Sequence, residues 1–202
     1  MKKSLFLFLL LLPLMALPAF AQESRQDISV SESAIMAPYA SGNSVKLHST
    51  VGLYGALVSY RYLLTPHGGL ELNYQYNQNV QHFTWNAGDY HIHDRIQEIS
   101  GAYVRSFNFR NFNPFVEVGA AGVLFSPIDD AKTNTFSISR NTNVGLLYGA
   151  GIAYEISPSF DIRVEYRGLV MKTPTFGYPG NATRTNVYYN IFDPTIGVAY
   201  HF

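Results

Sequence analysis

The chain has 202 residues, with 14 Lys+Arg against 14 Asp+Glu and no cysteine. A neutral balance gives no reason to expect a nucleic-acid partner. The lack of cysteine excludes a disulfide framework, a thiolate metal site and a lipidated N-terminal Cys. The 15 Tyr and 14 Phe are a heavy aromatic load, of the kind that suits strands and membrane interfaces.

The start of the chain has the pattern of a secretory signal. Lys2 and Lys3 are the charged lead, residues 5–17 are almost wholly apolar, and Ala19-Phe20-Ala21 fits an A-x-A cleavage site. Pro13 and Pro18 oppose an uninterrupted spanning helix. Residues 1–21 are therefore expected to be removed, leaving residues 22–202 as one domain. With Lys2 and Lys3 lost from the 14 basic residues, 12 remain against 14 acids. Past the signal, no apolar run reaches the roughly 18 residues that a spanning helix needs. A mature chain that crosses a membrane must then do so as a closed barrel, because lipid cannot satisfy an open sheet edge.

Eight strands follow from alternation, which puts every second side chain on one side. Residues 27–39 are the first, with Ser29, Ser31 and Ser33 on one face and Ile28, Val30, Ala34 and Met36 on the other; Glu32 interrupts the apolar face. Residues 51–63 set Tyr54, Ala56, Val58, Tyr60 and Tyr62 against Ser59 and Arg61. Residues 69–76 set Leu70, Leu72, Tyr74 and Tyr76 against Glu71, Asn73 and Gln75. Residues 92–107 oppose Ile99 and Tyr103 to Glu98 and Ser100, and residues 114–125 oppose Val116, Val118, Ala120 and Leu124 to Glu117, Gly119 and Ala121. Residues 143–156 alternate Val144, Leu146, Tyr148, Ala150, Ile152 and Tyr154 with Gly145, Gly149, Gly151, Ala153 and Glu155. Residues 160–171 set Phe160, Ile162, Val164 and Tyr166 against Asp161, Arg163, Glu165 and Arg167. The last strand, residues 187–202, puts Phe192, Pro194, Ile196, Val198, Tyr200 and Phe202 on one side.

The connections run 11, 5, 15, 6, 17, 3 and 15 residues. Alternating long and short links are the rhythm of an up-and-down barrel with long outer loops and short periplasmic turns. An even strand count puts both termini on the periplasmic side. A soluble barrel also alternates, with its apolar face inward. The signal, the loop asymmetry, the small residues on the polar faces and the aromatic strand ends all favour the membrane form.

A closing strand that alternates and ends on Tyr200 and Phe202, behind a signal and seven alternating strands, resembles the OmpA-like eight-stranded outer-membrane barrel family. The resemblance covers roughly residues 27–202. It implies an all-β, eight-stranded antiparallel up-and-down transmembrane barrel in a Gram-negative outer membrane, with Tyr200 and Phe202 as the C-terminal signature read by the barrel assembly machinery. Peptidoglycan-holding members carry a separate C-terminal domain. This chain ends at Phe202, so that activity is not expected.

The ionisable residues then belong inside. Arg or Lys facing lipid at mid-bilayer costs about 2–4 kcal/mol. By alternation the interior holds Arg61, Glu71, Glu98, Glu117, Glu155, Asp161, Arg163, Glu165, Arg167 and Asp193. A lumen of eight strands is just wide enough for side chains to fill, so a salt-bridged plug is expected ahead of an ion path. The acids outnumber the arginines, so some carboxylates should lie near the watery ends, be bridged by water or hold a proton.

Other chemistry has weaker support. His91-x-His93, with His82, Asp89 and Asp94 nearby, is a candidate metal cluster, but a site needs three or four converging ligands. His48-Ser49 and Asp129-Asp130 are the groups a lipid-modifying barrel enzyme would use, and nothing in the sequence sets their geometry. Asn181-Ala182-Thr183 spells a sequon but reads as a loop tip. Trp85, Tyr90, Phe136, Phe176 and Tyr178 are loop aromatics that either meet a partner or, in the preferred reading, pack loop on loop or rest at the headgroup interface. The expected role is a non-enzymatic integral outer-membrane protein without cofactor. It meets outer-membrane lipid and any extracellular ligand through four loops. A narrow pore is the alternative.

Overall fold

The computed structural model describes residues 25–86, 88–134, 138–177 and 183–202. The signal, Phe136, Tyr178, Asn181 and Ala182 lie outside these. Ten strands follow in order: β1 Gln26–Ile35, β2 Ala40–Gly42, β3 Val45–Ser49, β4 Gly52–Thr65, β5 Gly68–Trp85, β6 Gly88–Ser106, β7 Phe112–Pro127, β8 Asn141–Ser157, β9 Phe160–Lys172 and β10 Tyr188–His201. Eight of them form a closed antiparallel barrel, β1-β4-β5-β6-β7-β8-β9-β10. It closes where β1 pairs with β10, from Asp27↔His201 to Ser33↔Thr195.

The faces settle which side is inside. On β9, Ile162 is 39%, Val164 52% and Tyr166 47% exposed, whereas Asp161 is 5%, Arg163 3%, Glu165 5% and Arg167 2%. The perimeter is apolar and the charges are enclosed. Glu32 stands outward between Ala56 of β4 and Ile196 of β10, so the interruption seen in the sequence is present in the wall.

Two expected loops are not loops. Residues 77–91 continue the β5–β6 ladder up to Trp85↔Gly88. Residues 40–50 form the β2–β3 hairpin, whose β3 adds to β5 from Val45↔Trp85 to Ser49↔Gln81. The physical reason is length. A transmembrane strand needs about 9–11 residues, but β5 has 18 and β6 has 19. The surplus stands clear of the bilayer as sheet. There the outward face turns polar apart from Val80, and large apolar residues enter the inward face beside buried Asn79, Gln81 and Asp94. Below the Tyr74–Tyr76 level Leu70, Leu72 and Ile99 point out; above it Gln78, His82, Thr84 and Arg95 do, while Phe83, Ile92 and Ile96 point in. The changeover is marked by Gln97 Nε2 donating to Tyr74 Oη at 2.9 Å and Gln78 Nε2 to Tyr76 Oη at 2.6 Å. Tyr at a membrane interface keeps its ring in hydrocarbon and its hydroxyl wet.

The wall also fits the lumen contents by size. Glu117 faces Gly149, which faces Arg167; Phe115 faces Gly151, which faces Glu165. A Cβ at Gly149 would lie 2.7 Å from Glu117 Oε1, and one at Gly151 would lie 2.5 Å from Phe115 Cζ. Small residues on β8 therefore make space for long ones on β7 and β9.

Two glycines on adjacent strands separate this constraint from general glycine effects. A Cβ at inward-facing Gly119 would meet Ala102 Cα at 2.6 Å, whereas at outward-facing Gly101 the nearest atom is 3.9 Å away. Gly119→Val should greatly reduce the heat-modifiable folded band on a gel, and Gly101→Val should leave it intact. Equal folding of both would contradict the packing described.

Candidate functional site

The lumen has two layers. The half next to the short turns is polar and built around three arginines. Arg61 and Glu71 face each other across β4–β5, with Nε–Oε2 at 2.7 Å and Nη2–Oε2 at 2.6 Å. Arg163 reaches Asp27 Oδ1 at 3.1 Å, donates to Ser29 Oγ at 3.4 Å and lies 3.9 Å from Glu71. Arg167 is the hub. It meets Glu98 at 2.7 Å, Asp193 at 3.2 Å and Glu117 at 3.5 Å, and donates to Gln75 Oε1 at 3.0 Å and Ser100 Oγ at 3.2 Å. Ser33 Oγ donates to Asp193 at 2.8 Å, and Gln75 Nε2 donates to Ser33 Oγ at 2.6 Å. The Phe115 ring lies 4.7 Å from the Arg61 guanidinium carbon and 5.7 Å from that of Arg163, which adds cation–π attraction where water is excluded.

Of the ten interior candidates, Arg61, Glu71, Glu98, Glu117, Asp161, Arg163, Glu165, Arg167 and Asp193 are buried. Glu155 is half-buried, opposite Asp161 near the β8–β9 turn. Two partners went unread in the sequence. Asp27 occupies the same β1 face as the three serines, so alternation alone would have found it. His201 Nε2 sits 2.8 Å from Asp161 Oδ2. The oxygens of Glu117 accept no hydrogen bond among the described residues, and Glu165 Oε1 is also without one.

The other half of the lumen has a large apolar layer, which the polar-interior expectation missed, although β5 and β6 still turn buried Asn79, Gln81 and Asp94 inward. Ile35, Ile96, Val123, Leu147, Leu169 and Ile191 close over the arginine layer. Between the layers, bounded by Glu98, Arg167 and Asp193 below, remains a cavity of about 10 Å³, room for no more than a single water. Phe176 caps the stack. It is fully buried, edge-on to Phe83 at 6.1 Å and to Phe125 at 6.3 Å. Its carbonyl accepts the Ser139 N–H at 2.8 Å, so the last two long loops hold each other over the mouth. Trp85 and Tyr90 pack half-buried on the same cluster. Of the described aromatics, Phe176 alone packs from a loop; Trp85 and Tyr90 pack from the ends of β5 and β6, covering an apolar mouth that faces water.

The remaining candidates separate. His93 Nδ1 pairs with Asp130 Oδ2 at 2.7 Å, and that contact holds the exposed Asp130 carboxyl below the usual range. Asp94 turns inward and accepts from Gln81 Nε2 at 2.9 Å. His82, Asp89 and His91 stay together on the outer face, with His91 Nε2 and Asp89 Oδ2 2.8 Å apart. His48 is exposed and Ser49 buried, on opposite sides of β3. Tyr200 and Phe202 stack outside the barrel seam, 6.0 Å between ring centres.

Several solved outer-membrane barrels share this fold. OprG of Pseudomonas aeruginosa is 11% identical, over 90% of this chain and 97% of that one, with a TM-score of 0.65. The neisserial surface protein NspA is 15% identical, over 89% and 98%, with a TM-score of 0.59. Ail of Yersinia pestis, solved in complex with the heparin analogue sucrose octasulfate, is 14% identical, over 90% and 100%, with a TM-score of 0.56. No curated protein matches the chain in sequence. An apolar perimeter, an enclosed charge layer and a closed eight-stranded wall are what an outer membrane demands of a spanning protein, and over residues 7–202 the chain belongs to the family of the outer membrane protein beta-barrel domain.

Proposed function

We propose that this protein is a sealed, non-enzymatic outer-membrane barrel whose contacts with other molecules are made by the sheet and loops standing above the bilayer. One observation carries the reading: the lumen is filled along its length. Arg167 bridges the carboxylates of three strands, and an apolar layer capped by Phe176 sits on top. The salt-bridged layer is then a structural plug. A charge buried in so narrow a lumen is tolerable only with its partners in place.

The rest of the assignment follows the same logic. Residues 1–21 serve as the cleaved signal. The short turns and both termini face the periplasm, and the β5–β6 hairpin with the long loops faces outward. The exposed Tyr200–Phe202 stack at the closing strand offers the assembly machinery a handle. Any extracellular ligand meets the loops, and no cofactor is involved.

Four outcomes test this. In planar bilayers the protein should give no steady conductance; regular single-channel steps would replace the plug by the narrow-pore reading. Arg167→Met should destabilise the barrel in urea by about 3–5 kcal/mol, because three carboxylates lose their cation, and adding Glu98→Gln should restore part of that. Unchanged stability of the single variant would refute the structural role. Orientation can be read with single cysteines, since the chain has none. Lys132→Cys should take up a membrane-impermeant thiol reagent on intact cells, and Arg110→Cys should not; the reverse pattern would turn the barrel over. In the same cells, deleting Phe202 should lower the amount of labelled barrel, and unchanged yield would remove it as an assembly handle.

A further inference from the structure

The β3–β5–β6 sheet above the bilayer carries a row of imidazoles that the plug does not use. His48 of β3 is in register with His82 of β5, and His82 with His91 of β6. All three point away from the lumen. Ring centres are 6.4 Å apart for His48–His82 and 4.2 Å apart for His82–His91. Asp89 precedes His91 by two residues and so shares its face. One ligand atom from each of His82, Asp89 and His91 lies within 4.8 Å of the others. Three donors of metal-binding type thus meet on the outer face, with the exposed His48 in the next strand of the same row.

We propose that His82, Asp89 and His91 form a surface site for a divalent first-row transition ion, with His48 turning in as the fourth ligand. The donor chemistry selects the ion. Imidazole nitrogen with a single carboxylate suits Zn²⁺, Cu²⁺ and Ni²⁺, whereas Ca²⁺ and Mg²⁺ require oxygen ligands. The geometry is nearly assembled. Zinc holds its ligands at about 2.0–2.2 Å, so the partly exposed His82 and His91 rings would turn toward a shared centre to bind it. Burial, followed by the neighbouring His91, keeps the His82 ring below the usual imidazole range, which favours the neutral form that coordinates. Lys46 lies in the adjacent row, opposite Thr84, which in turn faces Asp89; it is the nearby cation that a metal must tolerate.

A bound ion would cross-link three strands at the end of the sheet farthest from the membrane. Such a link fastens the protruding hairpin to the β2–β3 hairpin beside it. It also presents an open coordination position to the exterior whenever His48 is not engaged.

The single tryptophan provides the readout. Trp85 lies three residues from His82, at the tip of the same hairpin. The full-length mature protein, purified without an oligohistidine tag and folded in nanodiscs, is titrated with Cu²⁺ while Trp85 fluorescence is followed. Zn²⁺ is titrated separately by calorimetry. The expected result is saturable quenching at one ion per chain, relieved by excess Zn²⁺, with matching calorimetric stoichiometry. His82→Ala and His91→Ala should each weaken binding by about tenfold or more, the scale on which loss of metal-site residues acts. His48→Ala should weaken it less. His67→Ala, at a turn on the opposite end, and His93→Ala, whose ring is held by Asp130, should bind as wild type does. Each variant must keep its heat-modifiable band, so that lost binding is not lost folding. Quenching that never saturates, or a folded His82→Ala/His91→Ala double variant that binds like wild type, would overturn the site; so would an equal loss on His67→Ala.

Discussion

A barrel of eight strands has to fill itself. Its lumen is about as wide as two facing side chains, and what fills it cannot borrow solvation from the membrane outside. Every inward charge therefore has to find its counter-charge across the tube. Arg167 does this for four strands at once: β9 supplies the cation, β6, β7 and β10 supply the carboxylates, and Gln75 of β5 takes a further donor. These contacts join strands far apart in sequence, so they form only when the ladder has closed. The same network that plugs the tube thus specifies which closure is correct. Glycine on β8 is part of that arrangement, because its missing side chains are the volume that Glu117 and Phe115 occupy.

Water sets the second boundary. Within the bilayer the outer wall is apolar and the lumen is polar. Above it the outer face turns largely polar, and large apolar residues enter the inside beside buried Asn79, Gln81 and Asp94. Each of β5 and β6 carries both regimes along its length. The membrane edge is therefore written into a strand as the point where its outer face turns from apolar to polar, here close to Tyr74, Tyr76 and Gln97.

That change explains what could and could not be read from the residues. In the spanning part, period-two alternation located all eight strands and the inward face of β9, since Asp161 and Arg163 each stand between two large apolar residues. Above the edge the same criterion misled. Residues 77–91 are polar at most positions and read as a loop, yet 77–85 and 88–91 are strand with polar residues on both faces. Stretches such as Leu146-Leu147 and Leu169-Val170 are apolar on both faces, so alternation is blind to the layer they build. Phe176 was legible as a loop aromatic, but its place between Phe83 and Phe125 depends on three segments meeting, which no local pattern encodes. His48, His82 and His91 are spread over 44 positions; only the register of β3 on β5 and of β5 on β6 puts them in one row.

The separation of tasks along the barrel axis follows from these constraints. The half of the lumen at the short-turn end is committed to charge pairing, and the other half mainly to apolar packing under a cap. Neither has side chains to spare for another molecule. The outward face of the protruding sheet is different. It is solvated, so polar groups there carry no burial cost, and it is backed by the Phe83–Phe125–Phe176 cluster, so the strands that present them are held in place. Recognition chemistry can accumulate on such a surface without disturbing the plug. A rigid, wet sheet raised above the bilayer is where this fold has room for binding, and it is where the imidazole row lies.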